Sequence, residues 1–158
     1  MLPSLVILTA LALVALTLTS IRRISEDGVR RRNAAVGLAL ATIVQVLHLA
    51  EESVTGLYVR LPALFSQEAM PFSIFLTFNI AWLAIWAVSI PGVRSGRSGA
   101  FFAAWFLAVA SLFNGIAHPA LALVSRGYFP GLVTSPIAGV AGAYLFFRLH
   151  SATRLKVS

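Results

Sequence analysis

The chain has 158 residues, of which 59% are hydrophobic and 11% charged, where a soluble domain carries about 25% charged residues. That deficit excludes a water-facing exterior, so lipid must cover much of the surface, and residues 1–158 leave room for a single domain. The net charge of +7 does not signal nucleic acid, because the basic residues stand between apolar stretches as topology signals, and the absence of cysteine excludes disulfides and thiolate chemistry.

Five apolar segments follow in chain order, at residues 2–20, 34–52, 71–90, 100–125 and 130–147. Each is near the roughly 20 residues a helix needs to cross a bilayer. The first has no basic n-region; its arginines follow the apolar run, and no small-residue cleavage site stands out, so it reads as a retained helix. The expected fold is therefore all-α, a bundle of five transmembrane helices in the plasma membrane.

Basic residues orient the bundle. Arg22, Arg23, Arg30, Arg31 and Arg32 lie in the first connection, Arg94 and Arg97 in the third, and Arg148, Arg154 and Lys156 near the C-terminus. If these share one side, the other retains only Arg60 and Arg126. An outside N-terminus and a cytoplasmic C-terminus satisfy every connection. The segment 53–70 mixes Leu57, Tyr58, Leu61, Leu64 and Phe65 with Arg60, Gln67 and Glu68, and Pro62 interrupts it. It suits the outer interface, as a connecting loop or as a lid. Ala104 with Ala108, and Ala138 with Gly142, are small pairs four residues apart that let helices approach closely.

Ionisable groups inside a membrane usually face the bundle interior. Of only five acidic residues, Glu51 and Glu52 close the second span, and His48 and His118 of the three histidines also fall in spans. His48 to Glu51 is i,i+3 and His48 to Glu52 is i,i+4, so the three project from neighbouring positions, with Gln45 one turn below. Asn114 and His118 are i,i+4 on the fourth span, and Pro119 removes the N–H that would bond the Gly115 carbonyl. At 1.5 Å per residue, His48 stands roughly 22 Å above Asn33 and His118 roughly 27 Å above Ala100. Both sets thus occupy the outer half of the bilayer. Asn79, about 12 Å below the outer boundary of the third span, Tyr128 and Ser135 reach similar levels. Trp82 and Trp105 can line an apolar pocket.

HLAEE at 48–52 followed by NGIAH at 114–118, with YFPG at 128–131 before the last span, resembles the bacterial HXXEE family of integral membrane proteins. The resemblance runs from the second span to the fifth and implies a shared site without naming a reaction. More remotely, five spans with intramembrane His, Glu and Asn resemble the sterol-isomerase type of membrane fold.

Three functions are consistent with these residues. The first is an enzyme acting on a lipophilic substrate such as a terpenoid, polyketide or sterol-like molecule. Carboxyls and imidazoles crowded in a low-dielectric site cannot all keep their ordinary charge states. One of Glu51 and Glu52 then serves as acid, with His118 in proton transfer, His48 tuning them and Asn114 orienting the substrate, for isomerisation, cyclisation or epoxide opening. The second uses His48, Glu51, Glu52 and His118 as ligands for zinc or iron. The third is a transporter or assembly partner, which lacks the internal repeats that alternating access commonly uses unless the chain forms an oligomer.

Overall fold

The second helix begins where Asp27 caps it. The Asp27 carboxylate accepts from the backbone N–H groups of Val29 at 2.8 Å and Arg30 at 3.3 Å, so two otherwise unbonded donors of the first turn are satisfied. In the computed structural model, which describes residues 2–156 and side chains from Val6 onward, the elements are α1 (Leu2–Ile21), β1 (Arg22–Ile24), α2 (Gly28–Thr55), α3 (Leu57–Ala63), α4 (Phe72–Arg94), α5 (Ser98–Val124), α6 (Ser135–Ser151) and β2 (Thr153–Leu155). Among the described residues, α2, α4 and α5 are long and apolar enough to cross a membrane; the apolar part of α1, Val6–Ile21, and the 17-residue α6 are shorter.

α5 is the central helix. It packs on α1, α4 and α6, while α2 closes the ring by contacting α4 and α6. Its inner faces carry Ala103, Ala104, Leu107 and Ala108, all buried, and small side chains allow the approach. A methyl group on Gly142 of α6 would lie 2.7 Å from Ser111 Cβ and 3.0 Å from the Ala108 carbonyl oxygen of α5. One turn further out, Gly115 and Gly139 meet backbone to backbone. The main core then fills with Leu38 and Ala41 of α2, Trp86 and Val93 of α4, Trp105 of α5, and Leu145 and Leu149 of α6. The outward faces remain apolar: Val88 is 71% exposed, Ile116 73% and Val140 72%. Apolar faces on three neighbouring helices would be a large liability in water, whereas acyl chains cover them without cost.

One end of the bundle gathers the basic segments. β1 and β2 pair antiparallel, with Arg22 opposite Leu155 and Ile24 opposite Thr153. Arg22 Nε donates to Thr153 Oγ1 at 2.7 Å, and Arg30 donates to the Ser151 carbonyl. The connection after α4 joins the same end, because the backbone of Gly96 lies against the Arg31 guanidinium. No apolar pattern announced this ribbon, since three-residue strands are too short to show a period.

The other end is roofed by a second apolar cluster. Leu49, Leu57, Phe75 and Phe129 are buried together, with Tyr58, Leu61 and Met70 packed against them. Within the segment 53–70, Leu57–Ala63 forms α3, and Gly56, at φ +78°, supplies the left-handed residue that ends α2 by donating its N–H to the Glu52 carbonyl. The last helix starts later than its apolar run suggests. Residues 130–134 are a turn, and α6 opens at Ser135 with Pro136 in its first turn, a position where the missing N–H has no helical partner to lose.

Candidate functional site

Consecutive residues on a helix point about 100° apart. That offset separates the two adjacent carboxylates at the end of α2. Glu52, one full turn after His48, turns inward. Its Oε1 lies 3.2 Å from His48 Nε2 and 3.3 Å from His118 Nε2, and all three residues are buried. The two imidazoles, from α2 and α5, stand edge to face with centroids 4.9 Å apart. The ligand atoms of His48, Glu52 and His118 lie within 4.8 Å of one another, so this group can hold a metal ion.

Glu51 turns instead toward the connection between α5 and α6. Its Oε1 accepts from the Tyr128 hydroxyl at 2.6 Å and the Val133 N–H at 3.0 Å. Its Oε2 accepts from the Thr134 N–H at 2.8 Å and the Thr134 hydroxyl at 2.5 Å. Arg60 of α3 donates to the Tyr128 carbonyl at 3.1 Å. The connection is thereby strapped over the histidines. Gly131 sits at φ +84° directly against them, and a Cβ there would be 2.6 Å from the His118 ring and 3.0 Å from that of His48.

The protons of both imidazoles follow from their partners. His118 Nδ1 lies 2.5 Å from the Pro130 carbonyl, which only accepts, so Nδ1 carries the hydrogen. His48 Nδ1 lies 2.7 Å from Thr134 Oγ1, whose single proton is already given to Glu51, so this Nδ1 donates as well. In the neutral rings, each Nε2 therefore presents a lone pair toward the same Glu52 oxygen. Asn114 Nδ2 stands 3.4 Å from His48 Nε2 and offers it a weak donor.

Other residues singled out in the sequence lie around this centre or away from it. Gln45 is buried on α2, and Ser135 bonds the Leu132 carbonyl. Asn79 donates to the Phe75 carbonyl of its own helix. Trp105 is buried against Phe146, and Trp82 packs on Trp86 and Phe106. Trp105 stands thirteen positions before His118 on α5, a rise of about 20 Å, so Trp105 belongs to the main core, against which Trp82 packs. Thr134, Pro130 and Gly131 had no comparable polar signal; YFPG marked the turn, but only its tertiary seat reveals what it holds.

Tyr128 lies outside the helices, and its phenol is pushed above its ordinary 10.0 by desolvation first and by the bond to Glu51 second. The folded state favours the neutral phenol, so its contribution is present below the unfolded value and is lost as pH rises through the folded one. Spectrophotometric titration of the wild type minus Tyr128→Phe should show one tyrosine ionising above the ordinary range. A Tyr128 ionising at or below 10.0 would contradict the strap.

The comparison that decides kinship is a match over residues 39–146 to proteins of unknown function with an HXXEE motif. The chain belongs to the HXXEE family. The matched span contains the HXXEE residues His48, Glu51 and Glu52, and also Asn114, His118 and the strap that packs on them. No curated protein and no solved structure matches, so within this family the chemistry rests on the geometry of the site.

Proposed function

We propose that this HXXEE protein is a membrane-embedded metalloenzyme in which His48, Glu52 and His118 hold one divalent transition metal, zinc or iron(II), and act on a lipophilic substrate of terpenoid, polyketide or sterol-like kind. One observation carries the reading: two imidazole Nε2 atoms and a carboxylate oxygen converge in a buried site, while both Nδ1 atoms are engaged elsewhere, with Thr134 and Pro130. Three electron-rich atoms in low dielectric need a positive particle among them. A proton can lie along only one of the two lines from Glu52, whereas a cation satisfies all three atoms.

Ligand dimensions agree. Tetrahedral zinc with bonds near 2.0–2.1 Å separates its ligand atoms by about 3.3 Å, and two of the three separations here are 3.2 and 3.3 Å. All three ligand atoms lie within 4.8 Å of one another. The N₂O set suits zinc or iron(II) better than magnesium, and three protein ligands leave a position open. When bound there, such a metal would polarise a substrate oxygen or activate water, chemistry that would serve isomerisation, cyclisation or epoxide opening. Asn114 orients the substrate beside His48. Access requires the strap 126–134 to move, because Gly131 covers both rings.

In this reading the bundle crosses the plasma membrane five times, with the N-terminus outside and the C-terminus cytoplasmic. The β1–β2 ribbon and the Arg31–Gly96 contact support it, because they bring the basic segments to one end. The centre then lies in the outer half of the bilayer, beneath the α3 roof.

The second reading is metal-free acid–base catalysis. It is favoured by the hydrogen-bond distance from Glu52 Oε1 to both imidazoles, which lets one proton pass between them. Metal analysis separates the two. Protein purified without chelators and re-equilibrated with zinc or iron(II) should retain one ion per chain, and His48→Ala should retain none. A wild type that holds neither metal under these conditions would return the centre to the acid–base reading.

A further inference from the structure

The two glutamates of the motif do different work, and Glu51 has no place among the proposed ligands. Its carboxylate takes the only proton of the Thr134 hydroxyl, which leaves Thr134 Oγ1 able to accept but not to donate along the 2.7 Å contact to His48 Nδ1. The Thr134 N–H and the Val133 N–H both donate to the same carboxylate, so the backbone that carries the threonine cannot move away without leaving a donor unpaired. We propose that Glu51 is a positioning residue that acts through Thr134 to hold His48 as its Nδ1–H tautomer, with the Nε2 lone pair aimed at Glu52 and His118.

The inference deepens the metalloenzyme reading and rests on it for its consequence. Imidazoles that bind metals commonly give their other N–H to a fixed acceptor, and losing that acceptor costs about 10–100-fold in metal affinity. Here the acceptors of both rings, Thr134 Oγ1 and the Pro130 carbonyl, belong to the strap. A closed strap and a pair of metal-ready imidazoles are therefore one state. Opening the connection for substrate releases both Nδ1 hydrogens together and loosens the hold on the ion, and bound metal in turn favours closure.

The test reads the tautomer apart from the metal. In metal-free protein labelled with ¹⁵N-histidine, in nanodiscs, His48 should show the Nδ1–H tautomer. Thr134→Val should move it toward Nε2–H, and Thr134→Ser should restore it. Competition for zinc should then show a loss of about 10–100-fold for Thr134→Val and near-native affinity for Thr134→Ser. If Thr134→Val does not fold, Glu51→Gln carries the test, because a neutral amide accepts the threonine proton less strongly and the tautomers mix. An unchanged His48 tautomer together with unchanged zinc affinity in these variants would overturn the assignment. A wild type with a fixed Nδ1–H tautomer that takes up no metal would instead sink the metalloenzyme reading and sustain the positioning role.

Discussion

Glu52→Gln is expected to abolish metal retention while leaving the metal-free protein at least as stable as the wild type. The reason is the count of donors and acceptors at the centre of the bundle. In the wild type, Glu52 Oε1 faces two Nε2 lone pairs at 3.2 and 3.3 Å, and without a metal these acceptors are poorly matched. The amide introduced by Glu52→Gln carries two N–H groups at nearly the same place, one for each ring. Pairing buried lone pairs that had at best the weak Asn114 donor is worth about 1–2 kcal/mol, so thermal denaturation of the metal-free variant in detergent should match or exceed the wild type. Loss of the only anionic ligand should lower zinc affinity by more than the roughly 100-fold that an outer-sphere change costs. The acid–base reading with a charged imidazole predicts the opposite sign for stability. Removing the carboxylate would then leave a buried cation without its partner, at a cost of about 3–5 kcal/mol. A clear fall in the melting temperature of metal-free Glu52→Gln would thus count against the metal.

Gly131→Ala is expected to be the most damaging single-methyl substitution in the strap. Two independent penalties coincide there. The backbone sits at φ +84°, a left-handed conformation that costs an L-residue with a Cβ about 1–2 kcal/mol, and the new Cβ would lie 2.6 Å from the His118 ring. Forcing a methyl into a packed site costs a further 1–3 kcal/mol or so. The flexible end of a long side chain could swing aside, but His118 is held by the Pro130 carbonyl and His48 by Thr134. Relief therefore comes from lifting the strap, which also frees both Nδ1 hydrogens. The measurable result is a loss of about 2–5 kcal/mol in unfolding free energy accompanied by weakened zinc binding. A Gly131→Ala protein that melts with the wild type and binds zinc as tightly would show that the strap does not rest on the imidazoles as described.

Much of the bundle was legible in the chain because membrane burial acts on long averages. Apolar runs such as 34–52, 71–90 and 100–125 announce α2, α4 and α5, and the clustering of arginines anticipates the end where β1, β2 and the Gly96 turn meet. The i,i+4 spacing of His48 and Glu52 places both on one helical face regardless of partner. Boundaries were less legible. The run from 130 reads as the start of a helix, yet Pro130 and Gly131 form a turn and α6 waits for Ser135, because composition records hydrophobicity and the turn is decided by what packs beneath it.

What the sequence determined by itself is a membrane protein with ionisable groups at one level of its interior, since the cost of placing charge in lipid depends on residue type and position along a span. Tertiary structure alone decided how those groups divide. Glu51 and Glu52 are adjacent and chemically identical, and only the seating of α5 and the strap against α2 sends one to two imidazoles and the other to Tyr128, Val133 and Thr134. Hydrogen-bond direction depends on which donor and acceptor meet across helices, and residues 48, 118 and 134 are brought together by close packing of α5 and α6 through Gly115, Gly139 and Gly142; small-residue spacing marks Gly142 as a place of close approach, but it does not name the partner.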